Sequence, residues 1–172
     1  MENKPEYLII HHTGGTDANP LADTSHHTFE VVDEWHKSLG WDGIGYNYFI
    51  EKDGKLQSGR PENIKGAHTI GYNDKSIGIC LAGNFDFSLP TTEQVNTLKE
   101  LLKTLQNRYK IPAEKIVPHR KFASKTCYGN KLSDDWARNL ITEKMTFQEV
   151  LDTIQDLTEQ INKLKKNYEG SI

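Results

Sequence analysis

The stretch YLIIHHTGG, residues 7–15, decides the fold of this chain. Its apolar run predicts a short buried strand that ends in two histidines, and Thr13-Gly14-Gly15 breaks the strand. Two further apolar runs, Ser76 to Ala82 and Ile116 to His119, predict two more buried strands. These three strands are the expected centre of the molecule.

Helices and a hairpin are predicted between and around these strands. Residues 46–51 and 55–57 flank Asp53-Gly54, a dipeptide that favours a tight turn between two strands. Apolar residues recur at helical spacing in three other segments, which predicts helices at residues 28–39, 90–109 and 133–141. Strands that alternate with helices in this way predict an α/β fold, with a mixed central β-sheet flanked by helices.

The end of the chain has a different pattern. From Phe147 to Tyr168 the apolar residues recur in alternating steps of three and four, which is a heptad pattern. A terminal helix packed on its own domain, a self-associating helix and a frayed tail all remain open, because a lone helix of this length is marginal in water. We therefore divide the chain into residues 1–143, a folded domain, and residues 144–172, an amphipathic helix. Residues 147–168 are a candidate segment for homo-oligomerisation.

Composition excludes several classes of function. The 172 residues have a mean hydropathy of −0.68, which is typical of a globular protein with one substantial core. A net charge of −3 gives no general attraction to nucleic acid, and no apolar run reaches the roughly 18 residues of a membrane span. We expect neither nucleic acid nor membrane as a partner. The N-terminus lacks the basic and apolar regions of a signal peptide, so we also expect no export signal.

Two histidines and a cysteine carry the first indication of chemistry. His11 ends one predicted strand, His119 ends another, and Cys127 follows eight residues later in a polar segment. Two imidazoles and one thiolate suit Zn²⁺, and three protein ligands leave the fourth tetrahedral position for water. The spacing alone is a weak signal, because three distant segments have no short signature. His12 is the rival of His11, and strand alternation allows only one of them to face the cleft.

Four segments together resemble the type 2 N-acetylmuramoyl-L-alanine amidases, a family that includes phage amidase-type lysozymes and animal peptidoglycan-recognition proteins. In order along the chain they are IIHHTGG (9–15), WDGIGYNYFIEKDGKLQSGR (41–60), KGAHTIGYNDKSIGICLAGNF (65–85) and HRKFASKTC (119–127). The resemblance spans roughly residues 7 to 142. It implies a mixed sheet with a zinc-floored cleft, and hydrolysis of the amide bond between N-acetylmuramic acid and L-alanine in peptidoglycan.

The resemblance also implies roles for single residues of the 1–143 domain. The implied zinc ligands are His11, His119 and Cys127, the implied catalytic side chains are Tyr46 and Lys125, and the implied substrate contacts are His68, Arg60 and Asn84. For His68 there are two alternatives: a position that supports the metal ligands without touching substrate, and a purely structural histidine. Family members often have Pro-Gly after the cysteine, whereas this chain has Tyr128-Gly129, which leaves the shape of that loop open.

A phage endolysin is the expected biological role, held in the host cytoplasm until lysis and then acting on the cell wall. A non-catalytic peptidoglycan-binding module is one alternative, but recognition-only members of the family lack the cysteine that Cys127 provides. A cytosolic amidase that recycles muropeptides is another, but that branch usually has an aspartate as the third ligand. A regulatory protein that docks on another macromolecule is a third, which the heptad helix would suit.

Overall fold

A computed structural model describes residues 2–16, 18–142 and 147–169. The chain divides into two units, residues 1–142 and residues 143–172. The described part of the second unit is a helix, Phe147–Glu169. Within the described ranges, no helix combines the length and the hydropathy that a bilayer span requires.

Five strands form one mixed sheet in the first unit. They are β1 (Tyr7–His12), β2 (Tyr48–Ile50), β3 (Leu56–Ser58), β4 (Ser76–Leu81) and β5 (Ile116–Pro118). Their order across the sheet is β3-β2-β4-β1-β5, and all neighbours are parallel except β2 and β3, which form the predicted hairpin. The predicted mixed central sheet is confirmed.

The helices lie close to their predicted positions. They are α1 (Phe29–Ser38), α2 (Thr92–Tyr109), α3 (Trp136–Thr142) and α4 (Phe147–Glu169). The predicted last strand is one residue too long, because β5 ends at Pro118 and His119 begins a short 3₁₀ turn. The backbone N–H of Phe122 donates to the His119 carbonyl oxygen at 2.9 Å, which closes that turn.

The two faces of the sheet carry different cores. On one face, Leu8 and Ile10 of β1 lie beside Ile77 and Ile79 of β4, and α2 covers them with four leucines: Leu98, Leu101, Leu102 and Leu105. Full burial of each such side chain contributes about 1.5–3 kcal/mol, so this larger core dominates stability. The opposite face carries a smaller cluster with Val32 of α1, Phe49 and Cys80. His11 points to that second face, since it alternates with Ile10 along β1.

A capping box fixes the start of α2 on the sheet. The Thr91 side chain accepts from the backbone N–H of Gln94, and the Gln94 side chain accepts from the backbone N–H of Thr91. The amide of Gln94 also donates to the carbonyl oxygens of Ile50 and Ala82, at 3.3 and 2.9 Å. The side chain is 1 % exposed. One residue therefore holds the helix start against the ends of β2 and β4.

Glu62 connects the segment after β3 to the end of α2. Its carboxylate accepts hydrogen bonds from the hydroxyls of Tyr48 and Tyr109, and Arg108 donates to both carboxylate oxygens at 2.6 and 2.8 Å. Burial raises the pKa of Glu62, but the hydrogen bonds from Tyr109, Tyr48 and Arg108 outweigh it, and the net pKa lies below the ordinary value. The ionised form of Glu62 is therefore part of the folded state.

The parallel direction of β1, β4 and β5 places their carboxyl ends at one edge of the sheet. His11 and His12 close β1 at this edge, and His119 follows the last residue of the neighbouring β5. Ligands of an α/β fold commonly lie where the carboxyl ends of strands meet. The predicted metal-binding histidines therefore share this edge.

Candidate metal centre

Three side chains converge at this edge. The ligand atoms of His11, His119 and Cys127 all lie within 4.8 Å of one another, and among the described residues this is the group of histidine, cysteine and acidic side chains close enough to share a metal ion. The Sγ atom of Cys127 is 3.8 Å from Nδ1 of His11, and the two imidazole rings are 4.4 Å apart between centroids. The three residues are the ones that the family resemblance implied.

The donor set fits zinc. Ligands of a tetrahedral zinc lie about 2.0–2.3 Å from the ion, so two of them are separated by about 3.3–3.8 Å. The 3.8 Å between Cys127 Sγ and His11 Nδ1 meets that requirement. Burial lowers the pKa of His11 well below its ordinary value, and burial followed by the charge of Lys125 lowers the pKa of His119 to about 4. Both rings are therefore neutral near pH 7, which is the form that binds a metal.

Cys127 also needs a cation to become a ligand. Burial raises the pKa of its thiol to about 12, because a thiolate without a counter-charge is unfavourable in this environment. The backbone N–H of His12 points at Cys127 Sγ from 3.5 Å. A bound divalent cation would supply the missing positive charge and release the thiol proton.

Arg120 holds the loop that carries Cys127. Its guanidinium donates to the carbonyl oxygens of Gly129 and Leu132, at 2.8 and 2.7 Å, and its Nε pairs with Asp134 at 2.5 Å. Its backbone N–H donates to the Cys127 carbonyl oxygen at 2.6 Å. No sequence motif pointed to Arg120, and its position directly after a proposed metal ligand was the signal available for it.

The Tyr128-Gly129 pair makes a well-packed turn in place of Pro-Gly. Tyr128 is fully buried, its hydroxyl donates to the Ser133 carbonyl oxygen at 2.8 Å, and the peptide bond between Cys127 and Tyr128 is cis. Gly129 has a φ of +108°, and a Cβ atom there would lie 2.4 Å from the carbonyl carbon and oxygen of Phe85. Both the positive φ and the close approach of Phe85 therefore require glycine at this position.

His12, the rival ligand, faces away from the metal group. Its Nδ1 accepts a hydrogen bond from the backbone N–H of Phe85 at 3.0 Å. Its ring packs on Phe85 with centroids 5.7 Å apart. Burial lowers the pKa of His12 to about 4, which keeps the ring neutral as this hydrogen bond requires. Strand alternation therefore separates the two histidines as predicted.

Tyr46 and Lys125 both lie near the metal group. The Tyr46 ring is 5.1 Å from the His11 ring between centroids, and it lies two residues before β2 rather than in the strand that the sequence predicted. Burial, then the neighbouring Cys80 and Cys127, raise the pKa of Tyr46 well above its ordinary value, so the hydroxyl keeps its proton. Lys125 is exposed, and its ammonium is close enough to lower the pKa of His11 and His119. One uncharged donor and one cation are therefore close to the metal group.

Arg60 and Asn84, two of the expected substrate contacts, bind the backbone of their own domain. Arg60 donates through Nε to the Ile44 carbonyl oxygen at 3.0 Å. Asn84 is 3 % exposed and donates to the carbonyl oxygens of Pro20 and Ala22, at 2.9 and 3.0 Å. It also lines a cavity of about 280 Å³ to which none of the three metal-group side chains contributes. Both side chains thus have a structural function, and their contact with substrate stays a prediction.

His68 contacts His11 on the side of the ring that carries Nε2, away from the Nδ1 atom that faces Cys127. Its Nδ1 is 3.2 Å from Nε2 of His11, and the two rings are nearly perpendicular with centroids 5.1 Å apart. Burial, followed by the charges of His119 and Arg60, lowers the pKa of His68 to about 3, so its ring is neutral.

Comparisons with known proteins agree with this geometry. The family model for N-acetylmuramoyl-L-alanine amidase matches residues 1–130. The chain is 35 % identical over 133 residues to peptidoglycan-recognition protein SC2 of Drosophila melanogaster, which covers 77 % of this chain and 72 % of the relative. It is 36 % identical over 114 residues to the endolysin of Escherichia phage T7, in an alignment that covers 63 % of this chain and 74 % of the relative.

A solved structure also matches this fold. The N-acetylmuramoyl-L-alanine amidase LysC from Clostridium intestinale URNW has a TM-score of 0.66 and 35 % identity, over 75 % of this chain and 79 % of that one. The chain belongs to the N-acetylmuramoyl-L-alanine amidase family, and it is a peptidoglycan amidase.

Proposed function

We propose that this amidase depends on zinc, held by His11, His119 and Cys127. The observation that supports the proposal is the convergence of two neutral imidazoles and one thiol within 4.8 Å at the carboxyl edge of the sheet. A bound zinc lowers the pKa of its water to about 7 and polarises a carbonyl group, which is the chemistry that amide hydrolysis requires. The bond cut is the amide between N-acetylmuramic acid and L-alanine.

The side chains around the group supply the remaining chemistry. The ammonium of Lys125 stabilises the negative charge that develops on the scissile carbonyl oxygen, because it is a cation beside the reacting centre. The Tyr46 hydroxyl, which keeps its proton, is available to donate a hydrogen bond to the substrate. His11 and His119 are held by β1 and by the turn after β5, so the site is built on rigid elements.

Product analysis on purified peptidoglycan tests the proposal directly. The expected result is new L-alanine amino termini without new reducing sugars, lost with a chelator and restored by Zn²⁺. Amino termini that persist after metal removal would exclude the zinc mechanism while leaving the amidase in place. Wall binding without any product would favour the recognition-module alternative, for which Cys127, Lys125 and Tyr46 have no evident use.

A lytic role in a phage life cycle is the proposed biological setting. The endolysin of Escherichia phage T7 supports it through 36 % identity, and Cys127 stands where muropeptide-recycling enzymes usually have an aspartate. In this role the enzyme accumulates in the host cytoplasm and reaches the wall once the inner membrane is breached. A lytic enzyme should act faster on intact peptidoglycan sacculi than on soluble muropeptides. The reverse preference would indicate recycling.

Residues 1–143 carry the catalytic function in this proposal, and residues 144–172 provide a helix through which copies of the chain associate. In α4 the apolar positions of the heptad include Ile154, Leu157 and Ile161, each more than half exposed. Burial of such a stripe between two helices would stabilise both. Light scattering should give a larger mass for the full chain than expected for a monomer, and deletion of residues 145–172 should restore the monomer mass. A full-length monomer would disprove the association, and a pull-down with and without this segment would reveal a different macromolecular partner.

A further inference from the structure

His68 has one engaged and one unpartnered ring nitrogen. Its Nδ1 is 3.2 Å from Nε2 of His11 and 3.1 Å from Oγ1 of Thr69. Its Nε2 is sealed from solvent and has no hydrogen-bond partner among the described residues. A buried polar nitrogen without a partner destabilises the folded state. The placement of this ring is therefore unfavourable for stability and calls for a function.

Two glycines create the slot that the His68 ring occupies. A Cβ atom on Gly78 would lie 2.5 Å from Cδ2 of His68, and a Cβ atom on Gly66 would lie 2.6 Å from the same atom. Gly78 is inside β4, where glycine is otherwise unfavourable. Oδ1 of Asn73 accepts from the backbone N–H groups of His68 and Thr69, both at 2.8 Å. The ring position is thus fixed by the sheet on one side and by the backbone on the other.

The distances around His11 indicate which of its nitrogens carries the hydrogen. Nδ1 of His11 faces Cys127 Sγ at 3.8 Å, on the side of the metal group, and a coordinating nitrogen must offer its lone pair. Nε2 of the neutral ring then carries the hydrogen and donates it to His68 Nδ1. The Thr69 hydroxyl oxygen is the other acceptor in reach, but at 3.5 Å it is farther from His11 Nε2. With Nδ1 accepting, the hydrogen of His68 must be on Nε2.

We propose that His68 is a positioning residue of the metal centre, whose Nδ1 accepts the Nε2 hydrogen of His11 and thereby holds His11 in the tautomer and orientation that bind zinc through Nδ1. The inference rests on the proposed zinc function. Metal-bound histidines generally donate their second ring N–H to such an acceptor, and its loss lowers metal affinity. This role also accounts for the engaged Nδ1 and the sealed Nε2, which a substrate contact does not.

Two substitutions separate a positioning role from a role in packing or substrate binding. His68→Leu removes the acceptor but keeps an apolar side chain in the slot, whereas His68→Asn retains an acceptor oxygen near the position of Nδ1. In a competition titration of the metal-free protein with a chromophoric chelator, His68→Leu should bind zinc about 10- to 100-fold more weakly. His68→Asn should remain close to the wild type. His36→Leu is the matched control, because His36 is a buried histidine that accepts from the Gly45 backbone N–H at 3.1 Å without contacting the metal ligands.

Thermal unfolding, zinc affinity and NMR give further tests of the positioning role of His68. Metal-free His68→Leu should unfold at no lower temperature than the wild type, because the unpartnered N–H is gone. Wild-type zinc affinity in His68→Leu, or a change confined to KM, would overturn the positioning role. A wild-type protein that binds no zinc would instead refute the proposed zinc function. If His68→Leu does not fold, nitrogen NMR of the zinc-loaded wild type identifies the tautomers instead. We expect the hydrogen on Nε2 in both His11 and His68. A hydrogen on Nδ1 of His68 would overturn the proposal.

Discussion

Replacing Arg120 with alanine should loosen the loop that carries Cys127. The substitution removes two short bonds from the guanidinium to the carbonyl oxygens of Gly129 and Leu132, at 2.8 and 2.7 Å, and a longer one to Thr126 at 3.3 Å. It also removes the ion pair with Asp134. It keeps the backbone bond from residue 120 to the Cys127 carbonyl oxygen. The expected effect is therefore that of the side chain alone.

The size of this effect follows from the environment of each bond. Hydrogen bonds with one charged partner contribute about 1.5–3 kcal/mol each, so the two short carbonyl bonds to Gly129 and Leu132 together contribute about 3–6 kcal/mol. The pair with Asp134 adds at most about 1 kcal/mol, since the side chain of Asp134 is 72 % exposed. We expect Arg120→Ala to lower the free energy of unfolding by about 3–6 kcal/mol, which corresponds to a fall in Tm of roughly 10–15 °C.

Urea unfolding followed by tryptophan fluorescence measures this loss. Trp136 is a suitable reporter, because its ring lies 5.6 Å from the buried Tyr128 ring in the same loop. Lys121→Ala is the control, since Lys121 is the exposed neighbour and should change stability by less than about 0.5 kcal/mol. Arg120→Lys should recover less than half of the loss, because an ammonium cannot donate in all of these directions. A loss below about 1 kcal/mol for Arg120→Ala would refute the reasoning.

Four further predictions concern the site and the scaffold. Cys127→Ser should lose zinc on dialysis, because a serine hydroxyl does not replace a thiolate ligand; retention of one equivalent would contradict the assignment. Lys125→Ala should keep the metal and lose about 10²- to 10³-fold in rate of amine release, and an undiminished rate would remove Lys125 from the mechanism. Gly129→Ala should lower stability, because its Cβ would meet the Phe85 carbonyl at 2.4 Å; a Tm equal to the wild type would contradict that contact. Hydrogen bonds hold the pKa of Glu62 in the folded protein below its ordinary value of 4.5. Its contribution to stability is therefore complete above pH 4.5 and is lost as the pH falls through the folded pKa. Glu62→Gln should make the free energy of unfolding depend less on pH in urea titrations at acid pH.

The local elements of the fold could be predicted because their signals are local. Apolar runs are characteristic of buried strands, and strand alternation alone predicted that only one of His11 and His12 could face the cleft. The choice of His11 came from the family resemblance. The shared position of His11, His119 and Cys127 had no local signal, since it depends on β1 and β5 being neighbours. Only the resemblance to a family supplied that information.

Buried polar residues are where sequence reasoning was weakest. Gln94 looks like an exposed helix residue, yet it is 1 % exposed because its amide reaches two strand carbonyls. The Thr91–Gln94 spacing of a capping box was the signal available for it. Arg120 and Asn84 similarly look like residues for solvent or substrate, but their donors are used by loop carbonyls. Such partners depend on where distant loops pass, which composition and periodicity do not encode.

The contacts of Gly66 and Gly78 with the His68 ring couple the effects of substitutions at these three positions. Alanine at position 78 would suit β4 better than glycine does, but its methyl group would collide with the imidazole. The same methyl becomes acceptable once the residue at position 68 is small, so the effects of Gly78→Ala and of His68→Ala should not add. In a double-mutant cycle the pair should be less harmful than the sum of the single changes. Variation at positions 66, 68 and 78 is thus expected to be epistatic, and evolutionary drift at one of them depends on the other two.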